Sequence, residues 1–203
     1  MKEVIKPQAL RTGDKIAIVS PAGPPVPECL EQGVRLLREH GFNVEVGDHV
    51  LSRSGYLAGN DDVRVIDLNK AIQDPDVRGI ICSRGGYGSS RILSRIDYDG
   101  LAADPKVIVG FSDITAILNA VYARTGLVCF HGPMMSGITS SSWSFNQLLL
   151  QISVRAKHPF RWSYPSDSDR PVNTFTGASK TVQGRTLGGC LSILSTLSGT
   201  PWC

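Results

Sequence analysis

Short apolar runs rich in β-branched residues alternate with segments of helical periodicity from residue 15 to about residue 131, and this alternation restricts the fold more than any other feature. Each run except the last is followed by a helical segment, so successive strands are joined by crossovers. Such an order is typical of a mostly parallel sheet flanked by helices, which is an α/β fold. The five expected strands are "KIAIVSPA", "NVEVG", "RGIICS", "KVIVG" and "LVCFH".

The two helical segments that follow the first two strands carry apolar residues at helical spacing, which predicts that one face of each helix packs on the sheet. The first segment stops at Gly41, and the second begins with two aspartates, which suit the amino end of a helix. The residues expected on the apolar faces are Leu30, Val34 and Leu37 in the first helix and Val63, Ile66, Leu68 and Ile72 in the second.

The character of the sequence changes after Met135, where a polar loop, one more helical segment and a Pro- and Ser-rich stretch follow one another. We interpret residues 1–150 as one α/β domain and residues 151–172 as a linker. Residues 173–203 then begin a second domain, with glycine-punctuated strands and a buried helix at "LSILSTLSG". That stretch is too short to close a core of its own, so we expect the second domain to be incomplete.

Charge and cysteine content exclude several classes of function. The net charge of +3 comes from 21 Lys and Arg against 18 Asp and Glu, and the basic residues are scattered, which does not favour nucleic-acid binding. No signal peptide or stretch of membrane-spanning length is present, so we expect a soluble, cytoplasmic protein without a membrane partner. The five widely spaced cysteines are typical of reduced thiols, with neither a disulfide framework nor a zinc site.

A glycine-rich stretch, "SRGGYGSSR", follows the third expected strand. Gly85 and Gly86 allow the backbone to turn tightly and direct its N–H groups at an anion in front of a helix. The spacing matches neither a dinucleotide fingerprint nor a P-loop, and a plain strand-to-helix turn explains it equally well. Arg84 and Tyr87 beside these glycines could contact a substrate carboxylate or simply pack.

Ser112 follows the fourth expected strand in "IVGFSDIT" and admits two interpretations. A serine on a sharp strand-to-helix elbow exposes its hydroxyl as a nucleophile, and the N–H of the next residue, Asp113, can then stabilise an oxyanion. Serine is also a favoured helix N-cap, and an aspartate in the first turn suits the helix dipole. The local pattern by itself favours the cap.

His131 ends the fifth expected strand in "FHGPM" and should lie at the same edge of the sheet as Ser112. It could therefore act as a base for the serine. A histidine before Gly-Pro is more often a hydrogen-bonded turn residue, so this role stays an alternative.

Taken together and in this order, five stretches resemble the LD-carboxypeptidases, the serine peptidases of the muramoyltetrapeptide carboxypeptidase and microcin C immunity type. The resemblance covers nearly the whole chain outside residues 136–175. It implies a Rossmann-like amino-terminal domain that carries the nucleophile. The stretches are "LRTGDKIAIVSPAGP", "YLAGNDDVRVIDLNKAIQDPDVRGIICSRGGYGSSRIL", "DPKVIVGFSDITAILNAV", "FHGPM" and "GRTLGGCLSILSTLSGTPW".

The resemblance implies that Ser112 is the nucleophile and that the backbone N–H groups of Asp113 and Gly86 form the oxyanion hole, with Gly85 as the near alternative. Its substrate would be the murein tetrapeptide, cut at the L,D bond to release D-alanine during cell-wall recycling. Neither a metal nor an organic cofactor is expected, and the resemblance makes a homodimer plausible.

The chain departs from the family pattern at its carboxyl end. The family's triad Glu and His follow the "GGN…GTP" segment, so neither can be assigned in this sequence, and Cys190 stands where the family usually has Asn. We therefore expect a truncated chain that is weakly active or inactive. The alternatives are a microcin-type immunity peptidase that cleaves acyl-sulfamoyl nucleotide conjugates, and a non-catalytic anion-binding module or pseudo-enzyme fragment.

Overall fold

The computed structural model describes residues 3–138, 148, 149, 152 and 187–202, and their centre is a five-stranded parallel sheet. This confirms the predicted α/β fold with helices around a parallel sheet. The strand order is β2-β1-β3-β4-β5. The strands are β1 (Lys15–Val19), β2 (Asn43–Val46), β3 (Val77–Cys82), β4 (Val107–Gly110) and β5 (Phe130–His131).

The strand order places a topological switch between β1 and β3, because the chain builds outward in one direction to β2 and in the other direction to β5. In doubly wound sheets of this order, ligands bind at the carboxyl ends of the strands on either side of the switch. The loops that follow β1 and β3 are therefore the first place to look for a site, and the loop after β4 lies beside them.

The helices connect successive strands, and their first residues are suited to the amino ends. Pro27 opens the first helix, where its missing N–H would have no partner, and the Asn60 side chain accepts the Val63 N–H of the second at 3.0 Å. The helices are α1 (Pro27–Glu39), α2 (Asp61–Gln73), α3 (Tyr98–Ala103), α4 (Thr115–Thr125) and α5 (Leu191–Leu197), with 3₁₀ turns at Ser89–Arg95, Ser112–Ile114 and Met135–Gly137.

Alternate side chains of the strands fill two apolar layers, one on each face of the sheet. Ile16 and Ile18 of β1 face the layer that contains α1, whereas Ala17 and Val19 face the layer that contains α2, α3 and α4. Burial of each large aliphatic side chain stabilises the fold by about 1.5–3 kcal/mol. The sheet is thus a rigid base that fixes where its loops emerge.

The predicted apolar faces are confirmed for α1 and only partly for α2. Ile66 is 52% exposed and Val63 is half-buried, so these two predictions are wrong. The reason is that α2 turns two polar side chains, Arg64 and Asp67, into the protein. The residues buried as predicted are Leu30, Val34, Leu37, Leu68 and Ile72.

The carboxyl-terminal described segment packs on the rest of the structure through one side of α5. Leu197 is buried in the same apolar layer as α4, and Trp202 stacks on Tyr98 with ring centroids 5.8 Å apart. The helix itself is predicted correctly, but its burial is not, because no described residue covers its other side and Leu191 is 79% exposed. The predicted linker and glycine-punctuated strands lie largely outside the described residues, and the domain boundaries stay a prediction.

Three further features of the described part concern partners and ligands. No helix there combines the length and the apolar character that crossing a bilayer requires. Its four cysteines are free thiols, and burial raises the pKa of Cys82 to about 12. Among the same residues, no three His, Cys, Asp or Glu side chains are grouped so that they could hold a metal ion.

We expect the stability of the fold to fall as the pH drops below about 4. A hydrogen bond from Lys15 holds the pKa of Asp74 below its ordinary value of 3.8, and one from Gln73 does the same for Asp97. When folding lowers the pKa of a carboxyl group, the group stabilises the fold at pH values above its unfolded-state pKa. That stabilisation is lost as the pH falls through the folded-state pKa.

Melting temperatures between pH 7 and pH 2.5 measure the loss. The Asp74→Asn variant should melt below the wild type at pH 7 and converge with it at the acid end; a constant difference would contradict the assignment.

Candidate active site

The loops after β1, β3 and β4 meet at the carboxyl edge of the sheet, as the strand order requires. Gly23, after β1, donates its N–H to the Gly85 carbonyl after β3 at 3.0 Å. The Ser20 and Ser83 hydroxyls, which lie one step closer to the strands, are joined by a hydrogen bond of 2.5 Å. These contacts join the loops after β1 and β3, and because β3 pairs with β4, the end of β4, where Ser112 lies, is next to them.

Ser112 has a left-handed backbone, with φ of 61°, and it is the only non-glycine residue with positive φ in the described part of the chain. Such a conformation costs about 1–2 kcal/mol for a residue with a side chain. An N-cap residue normally has an extended backbone, and no side-chain cap is formed at this 3₁₀ turn or at α4 behind it. The geometry is therefore that of a strained strand-to-helix elbow and not of a simple cap.

Gly85 lies directly against Ser112. A Cβ atom added to Gly85 would lie 2.9 Å from the Ser112 Cβ, 3.2 Å from its Oγ and 3.2 Å from the Phe111 carbonyl oxygen. Contacts of this kind leave room only for glycine. The glycine-rich stretch and Ser112, which were expected to lie together, are therefore in close packing contact between the loops after β3 and β4.

Three backbone N–H groups of the two loops near the serine have no hydrogen-bond acceptor in the described part of the chain. The N–H groups of Gly85, Gly86 and Asp113 donate no hydrogen bond to any other described residue. Gly86 has a φ of 114°, which a residue with a side chain rarely adopts. Unpartnered N–H groups from two loops beside one hydroxyl are the donors that an oxyanion hole needs.

Asp113 connects the elbow to the glycine-rich stretch from behind. Its carboxylate, in a residue only 4% exposed, accepts the Ser89 N–H at 2.9 Å, and its carbonyl oxygen accepts the Ser89 hydroxyl at 2.6 Å. Charge-assisted hydrogen bonds of this kind are stronger than neutral ones. The side chain of Asp113 is thereby used for positioning, and its N–H stays available on the other side.

His131 lies at the same edge of the sheet, as predicted, but it is not hydrogen-bonded to the serine. Its ring packs edge-on against Phe111, with centroids 5.3 Å apart. Partial burial lowers the pKa of His131 below its ordinary value of 6.5, which favours the neutral form that accepts protons. Within the described ranges the Ser112 Oγ has no hydrogen-bond partner, so no complete triad is seen there.

The "GGC" stretch of the carboxyl-terminal segment contacts the first turns of α4. The Cys190 N–H donates to the Thr115 Oγ1 at 3.1 Å, and the Asn119 side chain donates to the Gly188 carbonyl at 3.4 Å. Because α4 begins immediately after the 3₁₀ turn that contains Ser112, these contacts brace the helix behind the elbow. The Cys190 thiol contacts the Ser192 hydroxyl at 3.1 Å and has no hydrogen bond to Ser112.

One buried residue beside the glycine-rich stretch was not identified from the sequence. Arg64 of α2 is fully buried and donates a hydrogen bond to the Gly88 carbonyl at 2.9 Å. One signal in the sequence could have indicated that Arg64 is buried. Arg64 lies one helical turn before the buried Leu68, on the face of α2 that was predicted to be apolar.

Comparison with known proteins shows which family the chain resembles. A profile of the LD-carboxypeptidase N-terminal domain matches residues 16–132. The chain is 34% identical to a probable murein peptide carboxypeptidase of Bacillus subtilis over 97% of its own length and 60% of the relative's. It is also 34% identical to the murein tetrapeptide carboxypeptidase of Pseudomonas aeruginosa, over 92% of the chain and 61% of that protein.

The fold is also shared with solved structures. The microcin C7 self-immunity protein MccF, solved in complex with aspartyl sulfamoyl adenosine, superimposes with a TM-score of 0.80 and 27% identity over 97% of this chain and 66% of that one. The chain spans about 60% of the length of the two curated relatives. The profile nevertheless covers more than half of the chain, and the match to both relatives extends over more than nine-tenths of it, so the chain belongs to the LD-carboxypeptidase family.

Proposed function

We propose that the chain carries the nucleophile and the oxyanion hole of a serine-type LD-carboxypeptidase. In this proposal Ser112 attacks the L,D peptide bond of a murein tetrapeptide, and the terminal D-alanine is released during cell-wall recycling in the cytoplasm. The N–H groups of Asp113 and Gly86 stabilise the oxyanion, with Gly85 as the alternative to Gly86. Neither a metal nor an organic cofactor takes part, and a homodimer stays a prediction.

The observation that carries the proposal is the left-handed backbone of Ser112 next to free N–H groups from two loops. A strained residue persists only where the surrounding structure forces it, and such residues cluster at active sites. A serine that only began a helix would gain nothing from this conformation. A nucleophilic hydroxyl must point at the carbonyl carbon, and hydrogen-bond donors must lie where the carbonyl oxygen becomes negatively charged. A strand-to-helix elbow of this kind meets both requirements.

The proposed chemistry follows from these groups. The Ser112 Oγ bonds to the scissile carbonyl carbon and gives its proton to a base, while the carbonyl oxygen takes up the negative charge between the two N–H groups. When the intermediate collapses, the C–N bond breaks and the D-alanine amine leaves with the proton that the base returns. Water then hydrolyses the ester on Ser112 and releases the shortened peptide.

The base is the part of the proposal that the described residues do not supply. The family pattern implies a Glu-oriented His, and neither is assigned to a residue of this chain. Removing one member of a triad leaves a residual acceleration of about 10³–10⁴ over water, which comes from the oxyanion hole and from binding. We therefore expect weak activity from this chain alone, with His131 as the nearest candidate for a partial base.

A second candidate function is favoured by the likeness to MccF, whose structure holds an aspartyl sulfamoyl adenosine. An acyl-sulfamoyl conjugate presents a carbonyl to the same nucleophile and oxyanion hole, so the geometry around Ser112 accommodates it equally well. A third candidate, a non-catalytic module that binds an anion at residues 85–88, uses the same N–H groups without attack by Ser112.

The experiment that tests the proposal is hydrolysis with the enzyme in excess over substrate, so that a single slow turnover is visible. Murein tetrapeptide and aspartyl sulfamoyl adenosine are incubated separately with the chain, and released D-alanine and aspartate are measured. We expect slow D-alanine release that exceeds aspartate release and that disappears in the Ser112→Ala variant. Faster aspartate release would favour the immunity function. Equal release by wild type and variant would reject both, and binding of either compound without hydrolysis would favour the anion-binding module.

A further inference from the structure

A buried arginine lies directly behind the glycine-rich stretch. The Arg64 side chain is 0% exposed, although it sits in the first turns of α2, close to the surface where helix side chains are usually hydrated. Arginine is almost never fully buried in a protein unless its charge is paired. Its partners should therefore explain why the chain has a cation at this position.

Arg64 binds the two loops that flank the topological switch. Its Nη1 donates to the Pro21 carbonyl oxygen after β1 at 2.5 Å and to the Gly88 carbonyl oxygen after β3 at 2.9 Å. Its Nη2 is ion-paired with Asp61. One guanidinium thus holds two backbone carbonyls and one carboxylate.

These contacts fix one end of the short segment that carries the free N–H groups. The Gly85 carbonyl accepts the Gly23 N–H at 3.0 Å, and the Gly88 carbonyl accepts the Arg64 side chain at 2.9 Å and the backbone N–H of Arg91 at 3.2 Å. Ser89, the next residue, is held by Asp113. Gly86 lies between these fixed points, so its conformation is determined by the positions of its two ends.

The position of Arg64 is poorly explained by stability alone. Its Nε is buried and has no hydrogen-bond partner among the described residues. A buried ion pair gains little over well-packed apolar side chains, because both charges must leave water. An apolar residue at position 64 could fill the space on α2, but it could not hold the carbonyls of two separate loops.

We infer that Arg64 is a positioning residue for the oxyanion hole, since its guanidinium fixes the Pro21 and Gly88 carbonyls and thereby aims the Gly86 N–H at the substrate oxygen above Ser112. The inference rests on the proposed function. Arginine is required because its planar guanidinium presents donors in fixed directions, whereas lysine has a single nitrogen on a flexible chain. Arg64 touches neither substrate nor the serine.

The test compares Arg64→Lys with Arg91→Lys. Arg91 is the matched control, because its side chain binds the same Asp61 but is 48% exposed and donates to no carbonyl of the two loops. Each variant is measured for the rate of Ser112 labelling by a fluorophosphonate, for the amide resonance of Gly86 and for its melting temperature. In folded Arg64→Lys we expect labelling about tenfold to a hundredfold slower and a shifted Gly86 resonance. Arg91→Lys should change neither.

The possible outcomes separate the inference from the proposed function. Wild-type labelling and an unmoved Gly86 resonance in Arg64→Lys would overturn the inference. If the wild type is not labelled at Ser112, the proposed function fails, and the Gly86 resonance alone decides whether Arg64 fixes the loop. If Arg64→Lys does not fold, the wild type still provides a test: an immobilised guanidinium gives separate Nη proton resonances, and a single averaged resonance would overturn the inference.

Discussion

The Gly85→Ala substitution is expected to slow the labelling of Ser112 by a fluorophosphonate about a hundredfold or more, while the sheet stays folded. The added Cβ would lie 2.9 Å from the Ser112 Cβ and 3.2 Å from the Phe111 carbonyl oxygen, so either the elbow or the glycine-rich stretch must move. Either movement separates the hydroxyl from the N–H groups that would hold the phosphonyl oxygen. Removal of one such donor from an oxyanion hole typically costs a factor of 10²–10³ in rate.

The matched control for this prediction is Gly137→Ala. A Cβ added to Gly137 meets no heavy atom of a described residue within 4 Å, and its backbone is not left-handed, so labelling and stability should stay at wild-type values. Mass spectrometry of the labelled peptide verifies that Ser112 is the modified residue. Labelling of Gly85→Ala at the wild-type rate would show that the close contact between the two loops does not organise the site.

The Lys106→Met substitution is expected to lower the free energy of unfolding by about 1–3 kcal/mol without changing the labelling rate of the folded protein. The Lys106 side chain is 0% exposed, and its Nζ donates to the Val77 carbonyl at 2.7 Å, the Asp74 carbonyl at 2.9 Å and the Asp104 carboxylate at 2.7 Å. Methionine has a similar volume but cannot donate. The Val77 carbonyl then loses this donor, whereas the Asp74 carbonyl keeps the Val77 N–H at 3.2 Å. A buried acceptor that loses its partner costs about 1–3 kcal/mol.

Lys106 lies at the amino ends of β3 and β4, on the opposite edge of the sheet from Ser112. Because Lys106 and Ser112 are separated in this way, we expect Lys106→Met to lower the stability and to leave the labelling rate of Ser112 unchanged. Urea unfolding measures the loss, and Lys70→Met is the control, because the Lys70 side chain is 57% exposed and its ion pair with Asp48 is screened by water, so it should contribute little to stability. A slower labelling rate in folded Lys106→Met would contradict this separation of the two edges.

The strands and the first helix could be predicted because their signals are local. Alternation of strand and helix patterns identified all five strands, and the spacing of Leu30, Val34 and Leu37 identified the buried face of α1. The face of α2 was predicted less well, because Arg64 turns inward to bind carbonyls that are distant in sequence. Apolar spacing predicts burial by the hydrophobic effect, but it does not predict burial by hydrogen bonds to another loop.

The candidate site could be predicted only as a set of residues at one edge. Ser112, Asp113 and Gly86 follow strands whose ends meet, so their proximity follows from the topology of a parallel sheet. The left-handed backbone of Ser112 and the contact of Gly85 with its side chain depend on how two loops pack, and no local pattern reports that. The roles of these residues, and the identity of the base, stay predictions.

The left-handed backbone at Ser112 also affects how the position responds to mutation over generations. Glycine adopts this conformation without the cost of about 1–2 kcal/mol that a side chain brings, so selection for folding alone would drive the position toward glycine. Under the proposed function, the need for the hydroxyl opposes that drift. A Ser112→Gly variant should therefore fold at least as stably as the wild type while it loses the proposed nucleophile.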